Sequence, residues 1–458
     1  MGGSGLSTRR LLARVGSLAG LAILVSGLAW ISASWAASQP DGAASPGQYI
    51  VVLEDSIDHP AAAARAQVAA HGGRVGFVYR YALKGYSATL STAAVEALRR
   101  DPRVSYVTPD SMGEGDAQTN PTGLTRVFAL NNSSLGINEA PDGTVEADIA
   151  VLDTGIDSSH PDLDVVQSTS CVPANEKEEK VEAEKEEKEE KVEEKEEAIT
   201  CAKGGSTDPH GHGTHVAGTA AAIDNTFGVV GVAPGARLWS VRVLNAQNRT
   251  TASRVTAGVD WVTAHAAEIE VANLSLSCTP SGGKCSWPTV ETAINASVEK
   301  GVVYVVSAGN LALKAENISP AKNPNAITAG AIADYDGLEG GKSKSPPCSL
   351  TSYEAKWGAE KDDSWANLSN WGPAVDVAAP GVCIYSTLPG NSYGYKTGTS
   401  MATPEVAGAA AIIAASSNPA NKADVVAVRE RIEEVGNFNW TAEHEGPQQP
   451  LLDVTELP

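Results

Sequence analysis

Three short segments place an aspartate, a histidine and a serine beside glycines and other small residues. They are residues 149–157 (IAVLDTGID), 212–218 (HGTHVAG) and 398–404 (GTSMATP). A serine hydroxyl is a weak nucleophile at neutral pH, so a neighbouring base must take its proton. Histidine suits that task because its unperturbed pKa is about 6.5. An aspartate behind the imidazole would fix its tautomer and stabilise the imidazolium. The residue types therefore predict covalent catalysis by Ser400, with His212 and Asp153 behind it.

Each of these residues also has a simpler interpretation when it is taken alone. Asp153 could cap a helix after a strand, and His212 could be a core histidine. Ser400 could be the N-cap of the helix predicted to follow it, because serine is favoured there. His215 lies beside the apolar Val216, so we expect it to pack in the core. The occurrence of the three motifs in one chain favours the catalytic interpretation.

A fourth segment, residues 305–310 (VVSAGN), offers the side-chain amide of Asn310 to an oxyanion. The chain order Asp153, His212, Ser400 is that of subtilisin, and it differs from the order in α/β-hydrolases and in chymotrypsin. From about residue 48 to 435 the sequence resembles the subtilisin family (subtilases) of serine endopeptidases. The resemblance implies an acyl-enzyme on Ser400, with His212 as general base and then general acid. It also implies an oxyanion site formed by Asn310 and the Ser400 N–H.

Two rival functions have different sequence requirements. A catalytically silent relative that acts as a binding scaffold would lack a member of the triad or the oxyanion donor. A lipase-like esterase would need Gly-x-Ser-x-Gly, whereas Ser400 lies in Gly-Thr-Ser-Met-Ala. The peptidase interpretation is therefore preferred.

The resemblance also implies two edge segments that pair with an extended peptide substrate. Their residues are Asn248, Arg249 and Thr250 on one side and Ser275, Leu276 and Ser277 on the other. The first specificity pocket would lie between the second segment and the residues Ala308, Gly309 and Asn310. Three positions depart from the family pattern: Thr250 and Ser277 replace common glycines, and Ile318 is large where a small residue is usual. A fourth departure is Glu405, where a histidine usually follows the serine motif.

A structural calcium site is a further implication of the resemblance. Its oxygen ligands would be the Asp162 carboxylate, the Asn225 amide and the backbone carbonyls of Ile223, Phe227 and Val229. Hard oxygen donors of this kind suit Ca²⁺. The alternative is an ordinary Asx turn in the loop.

The N-terminal residues 1–37 have the pattern of a secretory signal peptide. Three arginines precede an apolar run from Leu18 to Trp30, and small residues follow. The run is short for a membrane span. The whole chain has 458 residues and a formal net charge of −21, which predicts that nucleic acid and anionic membranes are repelled. We expect a secreted monomer that acts on protein and peptide substrates.

The six cysteines predict disulfides, because the count is even and the chain carries a secretory signal. Pairing of nearest neighbours gives Cys171–Cys201, Cys278–Cys285 and Cys348–Cys383, which is one of about 15 schemes. The first pair flanks an insert at residues 172–200. Its residues 176–198 include thirteen Glu and six Lys, with little to bury. A solvated helix or a disordered loop is expected there, and a cation- or partner-binding arm is the alternative.

The pattern of apolar runs predicts two folded parts. Residues 38–115, with a core at 48–110, have the order β-α-β-β-α-β, which predicts a small ferredoxin-like α+β fold. This part resembles the subtilase propeptide, a chaperone and intramolecular inhibitor; the alternative is a small binding module that stays attached. Residues 116–440 alternate apolar strands with helices, which predicts an α/β domain with a doubly wound, mainly parallel sheet. Residues 441–458 are expected to be a C-terminal tail.

Overall fold

A computed structural model describes residues 47–79, 84–109, 118–140, 143–172, 201–204, 207–343, 345–441 and 447–458. The chain divides into two compact units, Met1–Gly113 and Glu114–Pro458. The predicted signal peptide at 1–37 and the Glu/Lys-rich stretch at 176–198 lie outside the described residues. The predicted propeptide boundary at 115 lies two residues after the end of the first unit.

The first unit is a four-stranded antiparallel sheet with two helices. Its elements are β1 (Gly47–Leu53), α1 (Pro60–His71), β2 (Arg74–Tyr79), β3 (Gly85–Leu90), α2 (Thr92–Leu98) and β4 (Val104–Pro109). The strand order β2-β3-β1-β4 places the first and last strands side by side. Val51, Tyr86, Leu90 and Leu98 form its fully buried centre together with helix residues such as Ala64. The predicted β-α-β-β-α-β order is confirmed.

The second unit carries the remaining elements. In its first half they are α3 (Thr122–Arg126), β5 (Asp148–Asp153), β6 (Val165–Ser170), β7 (Ala202–Lys203), α4 (His212–Ala221), β8 (Arg237–Arg242), α5 (Ala252–Ala264) and β9 (Val271–Leu274). The second half contains α6 (Pro288–Val298), β10 (Val303–Ser307), β11 (Ile327–Ala333), α7 (Thr351–Trp357), β12 (Ser364–Trp365), β13 (Val377–Pro380), β14 (Ile384–Leu388), β15 (Ser392–Lys396), α8 (Thr399–Ser417) and α9 (Lys422–Val435).

A largely parallel sheet forms the centre of this unit, in the order β12-β11-β10-β9-β5-β8-β6-β7, with β13 also paired to β11. The apolar strands β11, β10, β9, β5 and β8 are neighbours in this sheet, and all of them pair in parallel. Strand β5 is buried at every residue. Such continuous burial requires cover on both faces, and it explains why the strand sequences are apolar without alternation. The predicted α/β class is confirmed.

Helices α4 and α8, which begin in the His212 and Ser400 motifs, pack against each other beside the sheet. Helix α8 is buried from Thr399 to Ala414, and it contacts both α4 and the central strands. Small residues permit this close approach: a side chain at Gly408 would lie 3.0 Å from the carbonyl oxygen of Ala220. Among the described residues, none of the helices has the length and apolar character needed to cross a bilayer.

The segment predicted to be a tail is part of the core of the second unit. Leu451, Leu452 and Val454 are fully buried, and Leu451 pairs with Ala378 of β13. Val454 also donates its N–H to the carbonyl oxygen of Val127 at 3.0 Å. The three apolar residues stand in a short stretch with no helical or strand period, so nothing local in the sequence indicates this packing.

Three disulfides connect loops of the second unit. They are Cys171–Cys201, Cys278–Cys285 and Cys348–Cys383. This is the nearest-neighbour pairing that the sequence predicts, and no described cysteine is free. The first disulfide closes the base of the Glu/Lys-rich insert.

Candidate active site

Strand β5 and helix α4 bring Asp153 and His212 into contact. Asp153 is the last residue of β5 and is fully buried, whereas His212 is the first residue of α4. The Nδ1 atom of His212 lies 2.8 Å from Oδ1 of Asp153. A carboxylate can only accept here, so Nδ1 carries the proton and Nε2 is left with a free lone pair. The close approach of α4 to the loop after β5 requires glycine at position 213, because a Cβ there would lie 2.1 Å from the carbonyl oxygen of Gly155.

Ser400 lies in the first turn of α8, after the sharp bend at Gly398, whose φ is 154°. Its hydroxyl donates to the carbonyl oxygen of Ser275 at 3.2 Å, and the Ser275 hydroxyl donates to the carbonyl oxygen of Ser400 at 2.9 Å. Ser400 makes no hydrogen bond to His212 among the described residues. Catalytic hydrogen bonds are often long without substrate and tighten when substrate binds, so this rotamer is compatible with a nucleophile.

Asn310 follows β10 and lies beside the start of α8. Its Oδ1 accepts the N–H of Thr399 at 2.8 Å and the hydroxyl of Thr399 at 2.9 Å. The N–H of Gly309 donates in turn to that hydroxyl at 3.2 Å. Because the carbonyl end of the amide is held in this way, the Nδ2 end of Asn310 is available to a ligand beside Ser400.

A cleft of about 480 Å³ connects Ser400 and Asn310 to the predicted substrate segments. It is lined by Ser400, Asn310 and six predicted substrate-binding residues, which are Asn248, Arg249, Thr250, Ser275, Leu276 and Ser277. Two predicted wall residues do not line it: Ala308 is fully buried, and Gly309 contributes through its backbone behind Asn310. Four residues that were not predicted to bind substrate also line the cleft, namely Leu244, Thr279, Trp287 and Ser307.

Comparison with known proteins agrees with this geometry. The sequence model described as the subtilase family matches residues 146–434, and the peptidase inhibitor I9 model matches residues 48–114. Subtilisin E of Bacillus subtilis (strain 168) is 32% identical over 395 residues, which cover 85% of each chain. An alkaline protease of Shouchella clausii is 35% identical over 329 residues, covering 71% of this chain and 68% of its own. The chain belongs to the subtilase family.

The crystal structure of a cold-adapted subtilisin-like serine proteinase is similar in fold. It superposes with a TM-score of 0.50 at 26% sequence identity, and the match covers 73% of this chain and 97% of that one. This subtilase is thus a serine endopeptidase with an inhibitor domain ahead of its peptidase domain, which is the arrangement of a pro-enzyme.

His215, the second histidine of the HGTHVAG motif, lies in the core of this subtilase. His215 is fully buried, and its Nε2 lies 2.9 Å from the carbonyl oxygen of Ile384 and 3.1 Å from that of Gly394. Burial lowers the pKa of His215 to about 3, so the ring is neutral and joins α4 to the β14–β15 hairpin. The expected packing role agrees with these contacts.

Glu405, which replaces the usual histidine, is a fully buried carboxyl group one turn beyond Ser400. Burial raises its pKa well above the ordinary value for glutamate, and the nearby charge of Asp334 acts in the same direction. Its Oε2 has no hydrogen-bond partner among the described residues. Helix α3 leaves space for it only because residue 123 is glycine: a Cβ there would lie 2.0 Å from Oε1 of Glu405.

The predicted calcium loop wraps around Asp162, which is fully buried. The carboxylate accepts the Asn225 Nδ2–H at 2.7 Å and the Val229 N–H at 2.9 Å. Gln118 was not among the predicted residues of this loop, and its Oε1 accepts the Asn225 N–H at 2.6 Å. It stands more than a hundred positions before Asn225, so no local motif could have indicated it.

A separate acidic group lies in the loops after β11. Ligand atoms of Asp334, Asp336 and Asp362 all lie within 4.8 Å of one another, and this group shares no residue with the predicted calcium loop. Backbone N–H groups donate to each of the three carboxylates. The buried Arg126 lies 3.1 Å from Asp334 and 2.8 Å from Asp363. Burial nevertheless raises the pKa of Asp334 to about 8 and also raises that of Asp362, so these hydrogen bonds and Arg126 compensate the negative charge only in part.

Proposed function

We propose that peptide-bond hydrolysis proceeds through an acyl-enzyme on Ser400. The Ser400 hydroxyl attacks the scissile carbonyl carbon while its proton passes to Nε2 of His212. The tetrahedral intermediate then expels the amine, which receives that proton from His212, and water hydrolyses the ester by the same route in reverse. Asp153 orients His212 and stabilises the imidazolium. The buried 2.8 Å contact between His212 Nδ1 and Asp153 is the observation that carries this assignment.

The oxyanion would be held by Nδ2 of Asn310 and by the backbone N–H of Ser400. Donors fixed before the reaction stabilise developing charge without a reorganisation cost. The fixed carbonyl end of Asn310 supports this role, because Thr399 holds the amide in one orientation. An extended peptide would lie between residues 248–250 and 275–277, which line the same cleft as Ser400.

The protein would be made as a secreted, monomeric, self-processing precursor. The sequence of residues 1–37 supports export, and the inhibitor-domain match at 48–114 supports a propeptide that occupies the enzyme until it is removed. Cleavage would fall after about residue 112, near the boundary between the two compact units at Gly113. The propeptide would then act as an intramolecular inhibitor of its own enzyme.

Calcium would stabilise the loop at residues 223–229, and the donor set there fits a hard cation. Burial raises the pKa of Asp162, as expected for a carboxylate whose charge lacks a counterion. The carbonyl oxygens of Ile223, Phe227 and Val229 accept no hydrogen bond from any described residue. Asn225 is the exception, because its amide nitrogen faces Asp162 and would have to turn for its oxygen to bind the ion. Gln118 adds a further amide oxygen beside them.

The experiment is maturation of the full chain by wild type and by Ser400→Ala, followed by N-terminal mapping of the product. Wild type should lose residues through about 112–120, and Ser400→Ala should remain full length. Addition of a trace of wild type should process Ser400→Ala in trans, which shows that its cleavage site is intact. Maturation of purified Ser400→Ala by itself at the wild-type rate would rule out this triad as the processing activity.

A further inference from the structure

Asp208, four residues before His212, is a buried carboxylate with an unusually full set of hydrogen bonds. Its Oδ1 accepts the Thr154 hydroxyl at 2.7 Å and the N–H groups of His210 and Gly211 at 3.0 and 2.7 Å. Its Oδ2 accepts the N–H and the hydroxyl of Thr214 at 2.8 and 2.7 Å. Hydrogen bonds to a carboxylate are stronger than those between neutral groups, so five of them fix this side chain firmly.

The five donors belong to the two segments that carry Asp153 and His212. Thr154 directly follows Asp153, and its hydroxyl also accepts the N–H of Gly213, the residue after His212, at 2.9 Å. Thr214 lies in the first turn of α4, and its hydroxyl also accepts the N–H of Asp157 at 3.0 Å. Both hydroxyls therefore donate to Asp208 and accept from the backbone, which leaves one hydrogen-bonding arrangement for the whole network.

We propose that Asp208 is a positioning residue that holds the Asp153–His212 pair in its reactive geometry. It touches neither member of the pair through its own side chain. It acts through Thr154 and the first turn of α4, where the residue after β5 and the start of the histidine helix meet the same carboxylate. The proposal rests on the catalytic roles proposed above for Asp153 and His212.

The physical reason for an effect on rate is the distance tolerance of catalysis. A displacement of about 1 Å at a reacting group can cost about 10²-fold in rate, while substrate binding through other residues is retained. Asp208 does not line the substrate cleft described above. Its loss should therefore lower kcat and leave KM nearly unchanged, a combination that general destabilisation of the fold does not produce in the folded enzyme.

Asp208→Asn keeps the shape of the side chain but replaces one acceptor oxygen by an NH₂ group. In either orientation that group faces N–H donors. We expect kcat to fall roughly 10- to 100-fold, with KM within about threefold of wild type. The matched control is Asp157→Asn. The carboxylate of Asp157 accepts hydrogen bonds from Ser159 and Gly390, outside the catalytic pair, so both constants should stay within about twofold.

Thr154→Val removes the hydroxyl that connects Asp208 to Asp153 and leaves Asp208 in place. We expect it to lower kcat in the same range. Because the two side chains share one of the five hydrogen bonds of Asp208, the double variant should lose less than the product of the two single losses. Independent, multiplicative losses would overturn the proposed connection. If Asp208→Asn gives no folded protein, Thr154→Val tests the proposal alone.

The assay measures kcat and KM on a chromogenic peptide, with active sites titrated and maturation completed in trans by wild type where needed. A wild-type kcat per titrated site in both Asp208→Asn and Thr154→Val would overturn the inference. His212→Ala separates this outcome from failure of the proposed function. If His212→Ala is inactive while Asp208→Asn is normal, only the positioning role is wrong; if His212→Ala is active, the catalytic assignment itself fails.

Discussion

Thr399 holds the side-chain amide of Asn310 with two hydrogen bonds to the same oxygen, from its N–H at 2.8 Å and from its hydroxyl at 2.9 Å. Thr399 is also the residue before the proposed nucleophile Ser400. The orientation of the proposed oxyanion donor Asn310 and the start of α8 are therefore set by one residue. The Nδ2 end of Asn310 is therefore already oriented before the reaction begins. A donor oriented in advance stabilises developing charge without a reorganisation cost.

Asn310→Ala should lower kcat about 10²–10³-fold with little change in KM, because the donor acts on charge that develops in the transition state. This magnitude was established on the oxyanion asparagine of subtilisin itself. Thr399→Val is the graded control: it loses the hydroxyl but keeps the N–H bond, so we expect a loss of about tenfold or less. Steady-state kinetics on one peptide substrate decide the point. An Asn310→Ala enzyme with near-normal kcat would remove Asn310 from the oxyanion site.

Removal of calcium should destabilise the mature enzyme. A ligand that binds only the folded state adds RT ln(1 + [L]/Kd) to stability, about 2.7 kcal/mol at 100 Kd. Chelation should therefore speed thermal inactivation of wild type. Asp162→Ala should remove most of that sensitivity, whereas Asp164→Ala, at an exposed neighbouring carboxylate, should retain it. An inactivation rate that ignores both chelator and added Ca²⁺ would exclude the site.

Glu405 should make the enzyme less stable as pH rises. Its pKa in the folded state is raised by burial, so above the ordinary glutamate value the folded chain binds a proton that the unfolded chain has released. Stability from this group is complete at pH below about 4 and falls by up to about 1.4 kcal/mol per pH unit above that, until the folded-state pKa is reached.

The neutral variant Glu405→Gln lacks this titration. In enzyme blocked covalently at Ser400, its melting temperature relative to wild type should rise from pH 5 upward until the folded-state pKa of Glu405 is reached. The pH-independent difference between the two side chains appears at pH 4 and serves as the baseline. Melting curves for the two proteins that stay parallel across this range would show that Glu405 is ionised in the folded enzyme.

The Glu/Lys-rich insert should be dispensable for cleavage of small peptides. The disulfide Cys171–Cys201 closes its base, so the domain need not depend on the conformation of the insert. Replacement of residues 176–198 by a short Gly/Ser linker, with both cysteines kept, should leave kcat/KM on a chromogenic peptide within about threefold. A fall of more than about tenfold, about 1.4 kcal/mol of transition-state stabilisation, in a correctly folded deletion variant would show that the insert shapes the active site.

Features encoded by neighbouring residues could be predicted from the sequence. The catalytic motifs combine a reactive side chain with glycines that the local turn requires, as at Gly155 and Gly398, and the central strands are long apolar runs. The α+β fold of the first unit could also be predicted, because its strands and helices alternate in a recognisable order.

Features that depend on distant parts of the chain could not be predicted. Asp208 acts through Thr154, which is 54 positions away, and Gln118 contacts Asn225 across 107 positions. Glu405 was recognised as unusual, but its burial against Gly123 depends on how α3 packs on α8. Leu451 joins β13 without any periodic pattern around it. In each case the sequence shows the residue type, and only the fold supplies its partner.

Covalent labelling tests the central claim, an activated Ser400, most directly. A fluorophosphonate reacts with a serine only when a neighbouring base activates it. Mass spectrometry of labelled, mature wild type should place one phosphonate on Ser400. Labelling should be abolished in Ser400→Ala and strongly slowed in His212→Ala, with both proteins matured in trans. A phosphonate on another serine, or labelling of His212→Ala at the wild-type rate, would contradict the account.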